Sequence, residues 1–196
     1  PSIFIRLQGC PVECSWCDTK HTWPINLDDK VGTNVMLTEA EESQSWADMS
    51  VKDTIDLVKA QGYRAKHIVI TGGEPCMVDL TPLCLAFEAL EYSCQIETSG
   101  TFEIQASEKC WVTVSPKINM RGGYKILPSA MQRANEIKHP VATEQHVDEL
   151  KSLLIEHNII ETPIYLQPIS QKNRATELAI ETCIANNWRL SVQVHK

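Results

Sequence analysis

The chain contains no run of apolar residues approaching the ~20 that a membrane-spanning helix requires, so no membrane segment is expected from it. Positive charge is also short: 18 lysines and arginines stand against 25 aspartates and glutamates, a formal net charge of −7. That balance argues against a general nucleic-acid or membrane surface and leaves room only for a local basic pocket. No glycine-rich stretch leads into a lysine at the head of a helix, so a phosphate loop is excluded. Internal repeats and low-complexity tracts are missing too. With 22% charged and 43% apolar residues, the composition is that of a globular rather than a disordered chain. Its 196 residues are enough for one domain with a substantial core. The sequence opens at Pro1 rather than at an initiating methionine, so an upstream segment, with any targeting signal in it, is expected to be missing.

Cysteine, by contrast, is plentiful. Eight could make four disulfides, but a chain this long and this apolar does not need them. Cys76, Cys84, Cys94, Cys110 and Cys183 lie in or beside apolar runs and read as reduced core thiols, which fits a reducing cytoplasm. The other three sit within eight residues, Cys10-Pro-Val-Glu-Cys14-Ser-Trp-Cys17. Pro11, Glu13 and Ser15 mark this as a loop. Thiolates at spacings of four and three can address one soft metal centre. A structural site normally closes with a fourth protein ligand, whereas a reactive centre leaves one position open. Three cysteines would leave one iron of an iron–sulfur cluster free. His21, four residues beyond Cys17, keeps a second reading open, a closed zinc site of three sulfurs and one nitrogen.

Alternating patterns organise the rest. Residues 2–7 (SIFIRL) and 67–71 (HIVIT) read as strands, followed by 93–98, 111–114, 135–138, 163–166 and 188–194. Ser50 and Asp53 predict a capped helix over 51–61 that Gly62 ends. Further helices are expected over 82–91, started by Thr81-Pro82, over 143–157 and over 174–186. Strand–helix alternation implies a mainly parallel sheet with helices outside. Six or seven strands are too few for a closed eight-fold barrel, so the expected fold is α/β, an incomplete (β/α) barrel. Residues 24–50 fit none of these elements and read as an insertion after the cysteine loop within a single domain.

Ligands of parallel α/β folds bind at the carboxyl ends of strands. Here those ends read Gln8-Gly9-Cys10, Thr71-Gly72-Gly73-Glu74-Pro75, Glu97-Thr98-Ser99-Gly100-Thr101, Ser115-Pro116-Lys117, Lys138-His139 and Gln167-Pro168-Ile169-Ser170. Each alone could be a turn; together they predict one pocket. Gly72 and Gly73 would let a ligand approach the backbone, and Glu74 could accept hydrogen bonds from an ammonium group.

The Cys-x3-Cys-x-aromatic-Cys loop followed by Gly-Gly-Glu-Pro resembles the radical S-adenosylmethionine superfamily. Phe4-Ile-Arg-Leu-Gln-Gly-Cys10, Trp16-Cys17-Asp18-Thr19, Ile96-Glu-Thr-Ser-Gly100, Val114-Ser-Pro-Lys117 and Leu166-Gln-Pro-Ile-Ser170 narrow the resemblance to the 7-carboxy-7-deazaguanine synthase family. It implies a [4Fe–4S] cluster on Cys10, Cys14 and Cys17, whose open iron takes the amino and carboxylate groups of S-adenosylmethionine. It further implies cofactor contacts from Gly72, Gly73, Glu74, Ser115, Pro116, Lys117, Gln167, Pro168, Ile169 and Ser170, with Trp16 near the adenine. Arg6 and Thr71 would bind substrate, Arg6 as the cation for a pterin carboxylate. Thr19 would hold Mg2+, although carboxylate chemistry alone would have favoured Asp18. The implied reaction turns 6-carboxy-5,6,7,8-tetrahydropterin into 7-carboxy-7-deazaguanine with loss of ammonia, on the way to queuosine. No dedicated general base is implied. The resemblance also implies a homodimer, a flavodoxin- or ferredoxin-type electron donor and no nucleic-acid contact. Family members have substrate-binding residues upstream of Pro1 and commonly extend past Lys196. A glycyl-radical activase would share the loop and cofactor, and a zinc-stabilised binding module would share only the loop.

Overall fold

In the computed structural model, residues 1–40, 42–169 and 172–192 are described. Seven strands, β1 (Ile3–Leu7), β2 (His67–Gly72), β3 (Ser93–Thr98), β4 (Trp111–Val114), β5 (Glu136–Val141), β6 (Ile164–Pro168) and β7 (Arg189–Leu190), form one sheet in sequence order. β1–β2, β2–β3, β4–β5, β5–β6 and β6–β7 pair in parallel. Among the described residues the order runs from β1 to β7 without closing, so the α/β class and the strand order of an incomplete (β/α) barrel hold. The chain divides into two compact units. The first comprises Pro1–Glu97, Ile104–Trp111 and Asn119–Tyr124; the second comprises Thr98–Glu103, Val112–Ile118 and Lys125–Lys196.

In the first unit, β1, β2 and most of β3 are joined by α2 (Val51–Ala60) and α3 (Thr81–Glu88). The Ser50 cap is reciprocal: its Oγ accepts from the Asp53 amide at 3.1 Å, and the Asp53 carboxylate accepts from the Ser50 amide at 3.3 Å. Gly62 ends the helix in the left-handed region at φ +65°. Pro82 occupies the first turn of α3, which buries Cys84 and Phe87. Ile68, Ile70 and Ile96 are fully buried, as period-two strands against helices require. Register sets Arg6 beside Thr71.

The second unit holds most of β4, all of β5–β7 and three helices, α4 (Pro128–Arg133), α5 (Glu144–Glu156) and α6 (Asn173–Asn186). α5 buries Val147, Leu150, Leu153 and Leu154, the spacing of one helical face. In β5, Ile137, His139 and Val141 are buried, while Glu136, Lys138 and Pro140 are half-buried.

Three sequence expectations needed adjustment. α4 was not foreseen; it opens with Pro128 in its first turn. β5 runs past Lys138 to Val141 even though Pro140 argues against a strand; its pairing with β4 ends at Ile137, and it continues beside β6 alone. β7 is only Arg189–Leu190, and positions 193 and 194 of the expected strand lie outside the described residues. The 24–50 stretch contains a 3-10 turn (Leu27–Asp29), the short helix α1 (Thr33–Met36) and a bridge between Lys30 and Trp46. Cys76, Cys84, Cys94, Cys110 and Cys183 are buried free thiols, as expected of reduced core residues.

Candidate active site

After β1 the backbone turns at Gly9, at φ +105°, and the cysteine loop begins. Residues 20–24 brace this turn. The Gly9 amide donates to the Thr22 carbonyl at 2.7 Å, the Cys10 amide to Trp23 at 3.0 Å, and Gln8 Nε2 to the carbonyls of His21 and Pro24. On the other side, the Gly73 amide donates to the Leu7 carbonyl and the Glu74 amide to the Gly9 carbonyl, both at 2.8 Å. A Cβ on Gly73 would lie 2.0 Å from the Gly9 oxygen, and one on Gly72 would lie 2.3 Å from Leu7 backbone atoms. Both glycines therefore serve close approach of one strand end to another. Glu74 is buried at 3% exposure, and its Oε1 accepts from the Cys76 amide at 2.9 Å.

A third brace was not legible in the sequence. In Asn119–Tyr124, the Gly122 amide donates to the Val12 carbonyl at 3.2 Å, and a Cβ there would sit 2.0 Å from the Pro11 oxygen. The Gly122-Gly123 pair was the available signal.

Within this frame Cys14 is buried, and Cys10 and Cys17 are partly accessible. Burial pushes the Cys10 thiol up, helped by the Glu74 carboxylate and Cys17, while hydrogen bonds from the Val12 and Glu13 backbone pull it down. Trp23 Nε1 donates to Cys17 Sγ at 3.3 Å. Such N–H donors at sulfur suit thiolates that ligate a metal centre. Among the described residues, no three His, Cys, Asp or Glu side chains are arranged to share a single metal ion. A four-iron cluster asks for a different arrangement, one thiolate per iron, and the accessible loop with its N–H donors fits it. His21 Nε2 is buried without a hydrogen-bond partner. Thr19 Oγ1 lies 3.6 Å from Cys17 Sγ, and Asp18 and Trp16 are exposed. Arg6 is exposed, and none of the salt bridges among the described residues involves it.

The second unit gathers other predicted residues. The Ser115 amide donates to the Thr98 carbonyl at 2.7 Å and the Lys117 amide to Ser99 at 3.3 Å; Lys117 Nζ donates to Ser115 Oγ at 2.5 Å. Buried Ser99 and Thr101 share a hydroxyl–hydroxyl hydrogen bond of 2.7 Å. Gln167 and Pro168 end β6, and the Ile169 amide donates to the Val141 carbonyl at 2.9 Å. Ser170 lies outside the described residues.

Comparison with known proteins agrees with this chemistry. The family described as a 4Fe-4S single cluster domain matches residues 2–106. The chain is 54% identical over its full length to the 7-carboxy-7-deazaguanine synthase of Escherichia coli strain K12, covering 88% of that protein. It is 47% identical to the protein of that name from Buchnera aphidicola subsp. Schizaphis graminum, again over all of this chain and 88% of the relative. The Synechocystis protein of that name is 32% identical, over all of this chain and 82% of the relative. The crystal structure of QueE from Escherichia coli superimposes with a TM-score of 0.94 at 55% identity, over 98% of this chain and 85% of that one. With full-length relatives this similar and a three-cysteine loop fitted to a cluster, the chain belongs to the 7-carboxy-7-deazaguanine synthase family of radical S-adenosylmethionine enzymes.

Proposed function

We propose that this protein is the radical S-adenosylmethionine lyase that converts 6-carboxy-5,6,7,8-tetrahydropterin to 7-carboxy-7-deazaguanine with loss of ammonia. One observation carries the reading: the loop of Cys10, Cys14 and Cys17, supplied with N–H donors, occurs in a chain 54% identical from end to end to a 7-carboxy-7-deazaguanine synthase. When bound, the cluster and S-adenosylmethionine supply an electron and the 5′-deoxyadenosyl radical that begins the reaction.

The protein's own contribution is position and enclosure. Cys10, Cys14 and Cys17 would each hold one iron. The Gly72-Gly73-Glu74 segment receives the methionyl amino group, and its hydrogen bonds to Leu7 and Gly9 fix it against the base of the cysteine loop. Ser115, Pro116, Lys117, Gln167, Pro168, Ile169 and Ser170 hold the rest of the cofactor. Arg6 offers a fork of donors to the pterin carboxylate, and Thr71, beside it in register, orients the ring. Thr19 would offer one neutral oxygen to Mg2+, which would help position the substrate. The chain acts as one domain in which 24–50 is an insertion, and it works as a homodimer reduced by a flavodoxin- or ferredoxin-type donor in the cytoplasm. No helix among the described residues is long and apolar enough to cross a membrane.

The test is anaerobic turnover of the full-length, cluster-reconstituted protein with S-adenosylmethionine, Mg2+, reductant and 6-carboxytetrahydropterin, followed by mass spectrometry. Formation of 7-carboxy-7-deazaguanine is expected. Cofactor cleavage without that product would overturn the substrate assignment and retain the superfamily.

A further inference from the structure

Trp23 is tied to both ends of the cysteine loop. Its carbonyl accepts from the Cys10 amide at 3.0 Å, and its indole Nε1 donates to Cys17 Sγ at 3.3 Å. The residue is itself held in place. Its amide donates to the Lys20 carbonyl at 3.1 Å, and Lys20 Nζ stands 5.7 Å from the centre of the ring. At that range an ammonium group is attracted to an aromatic face. Backbone and ring are thus fixed by different partners, and the indole hydrogen is directed at a sulfur.

An apolar ring such as phenylalanine would be enough to shield the loop. Tryptophan adds an N–H, and an indole N–H can donate but never accept. Thr19 Oγ1, 3.6 Å from the same sulfur, can play either part there. The indole therefore supplies the contact whose direction is certain, and direction decides its effect on charge. A thiolate bound to iron keeps lone pairs for a donor, and one-electron reduction of a cluster increases the negative charge on its sulfurs. A fixed donor stabilises the reduced form more than the oxidised one, which is how hydrogen bonds to sulfur tune cluster potentials.

We propose that Trp23 is a positioning residue whose indole N–H holds the Cys17 sulfur and makes the cluster easier to reduce. This rests on the reading that Cys17 holds an iron. Trp23 acts through Cys17 rather than on S-adenosylmethionine or the pterin. The electron comes from an external low-potential reductant, and the effect is felt as it enters, before any bond of the cofactor breaks.

The experiment compares full-length, cluster-reconstituted wild type with Trp23→Phe and with benzothienylalanine placed at position 23, an isostere of tryptophan that carries sulfur instead of the N–H. Iron per chain is measured, together with the midpoint potential in a redox titration followed by electron paramagnetic resonance, without S-adenosylmethionine. Both replacements should make reduction roughly three- to tenfold less favourable at full iron content, a fall of about 28–59 mV for one electron. Trp46→Phe is the control: that indole donates to the Asn26 carbonyl at 2.9 Å, and its loss should leave the potential unmoved. An unchanged potential with the isostere at full iron would overturn the proposal, as would an equal fall in Trp46→Phe. Should Trp23→Phe fail to take up iron, the isostere decides, because its shape is that of tryptophan. Loss of iron with the isostere as well would make Trp23 an assembly residue and refute the tuning role. Cys17→Ala in parallel isolates the underlying reading. Full iron and an unchanged potential in that variant would remove Cys17 from the ligand set. Loss of iron there, with the Trp23 replacements at wild-type potential, would keep the ligand and refute the proposal alone.

Discussion

Gly73→Ala separates two meanings of the Gly-Gly-Glu-Pro motif. A methyl at this position would stand 2.0 Å from the Gly9 oxygen, 2.5 Å from its carbonyl carbon and 3.1 Å from the Thr22 oxygen. All three obstacles are backbone, so no rotamer change relieves the clash and the two segments must part. The hydrogen bonds from Gly73 to Leu7 and from Glu74 to Gly9, both 2.8 Å, would lengthen or break. At about 0.5–1.5 kcal/mol for each bond and about 1–3 kcal/mol for forced overpacking, the variant should lose roughly 2–6 kcal/mol. That is a large part of a typical domain's roughly 5–15 kcal/mol. Since Gly9 precedes Cys10, the displacement passes directly into the cysteine loop. Anaerobic reconstitution should give a protein with reduced iron per chain and an earlier thermal transition. Gly32→Ala is the control, because a methyl there meets nothing within 4 Å, and it should change stability by less than about 0.5 kcal/mol. A Gly73→Ala protein with full iron, unchanged unfolding and lost cofactor binding would refute the argument. The glycine would then be needed for the ligand alone.

Cys14→Ala should abolish cluster assembly and S-adenosylmethionine cleavage, while His21→Ala should keep the roughly 400-nm absorption of an oxidised thiolate-bound cluster. Loss of the metal centre in the His21 variant would instead favour the closed zinc site. The depressed His139 titration also predicts an acid dependence of stability. The unfolded chain, titrating near the ordinary 6.5, takes up the proton before the folded chain does at about 3. Stability is therefore complete above 6.5 and is lost progressively as pH falls towards 3, by about 2 kcal/mol at pH 5. Anaerobic denaturation of wild type and His139→Phe at pH 7.5 and pH 5 checks this. The stability advantage of wild type over the variant should shrink by that amount, and parallel pH dependences would refute it.

Much of this architecture was legible because it rests on local signals. Ser50 and Asp53 announce a helix start at any site, since their side chains satisfy the first amides of the helix they begin. Alternating residues at 93–98 mark β3 to the residue because one face of it must be buried. The cysteine spacing pointed to metal chemistry for a similar reason, as candidate ligands on one short loop need no knowledge of the fold. What stayed hidden depends on distant contacts. Nothing around Gly122 says that its partner is Val12, more than a hundred residues earlier. Nor does the sequence alone say whether Gly73 faces a ligand or the Gly9 carbonyl. His139 was visible only as a residue near a strand end; its burial comes from the folded sheet.

The alternation along β5 has an evolutionary corollary. Ile137, His139 and Val141 are sealed into the core, while Glu136, Lys138 and Pro140 retain partial exposure on the opposite side of the same strand. Mutations on the second set can explore new side-chain chemistry without opening a cavity among the first. The chemistry of the partly exposed side and fitness for folding are thus written in even and odd positions of one short segment and can drift separately.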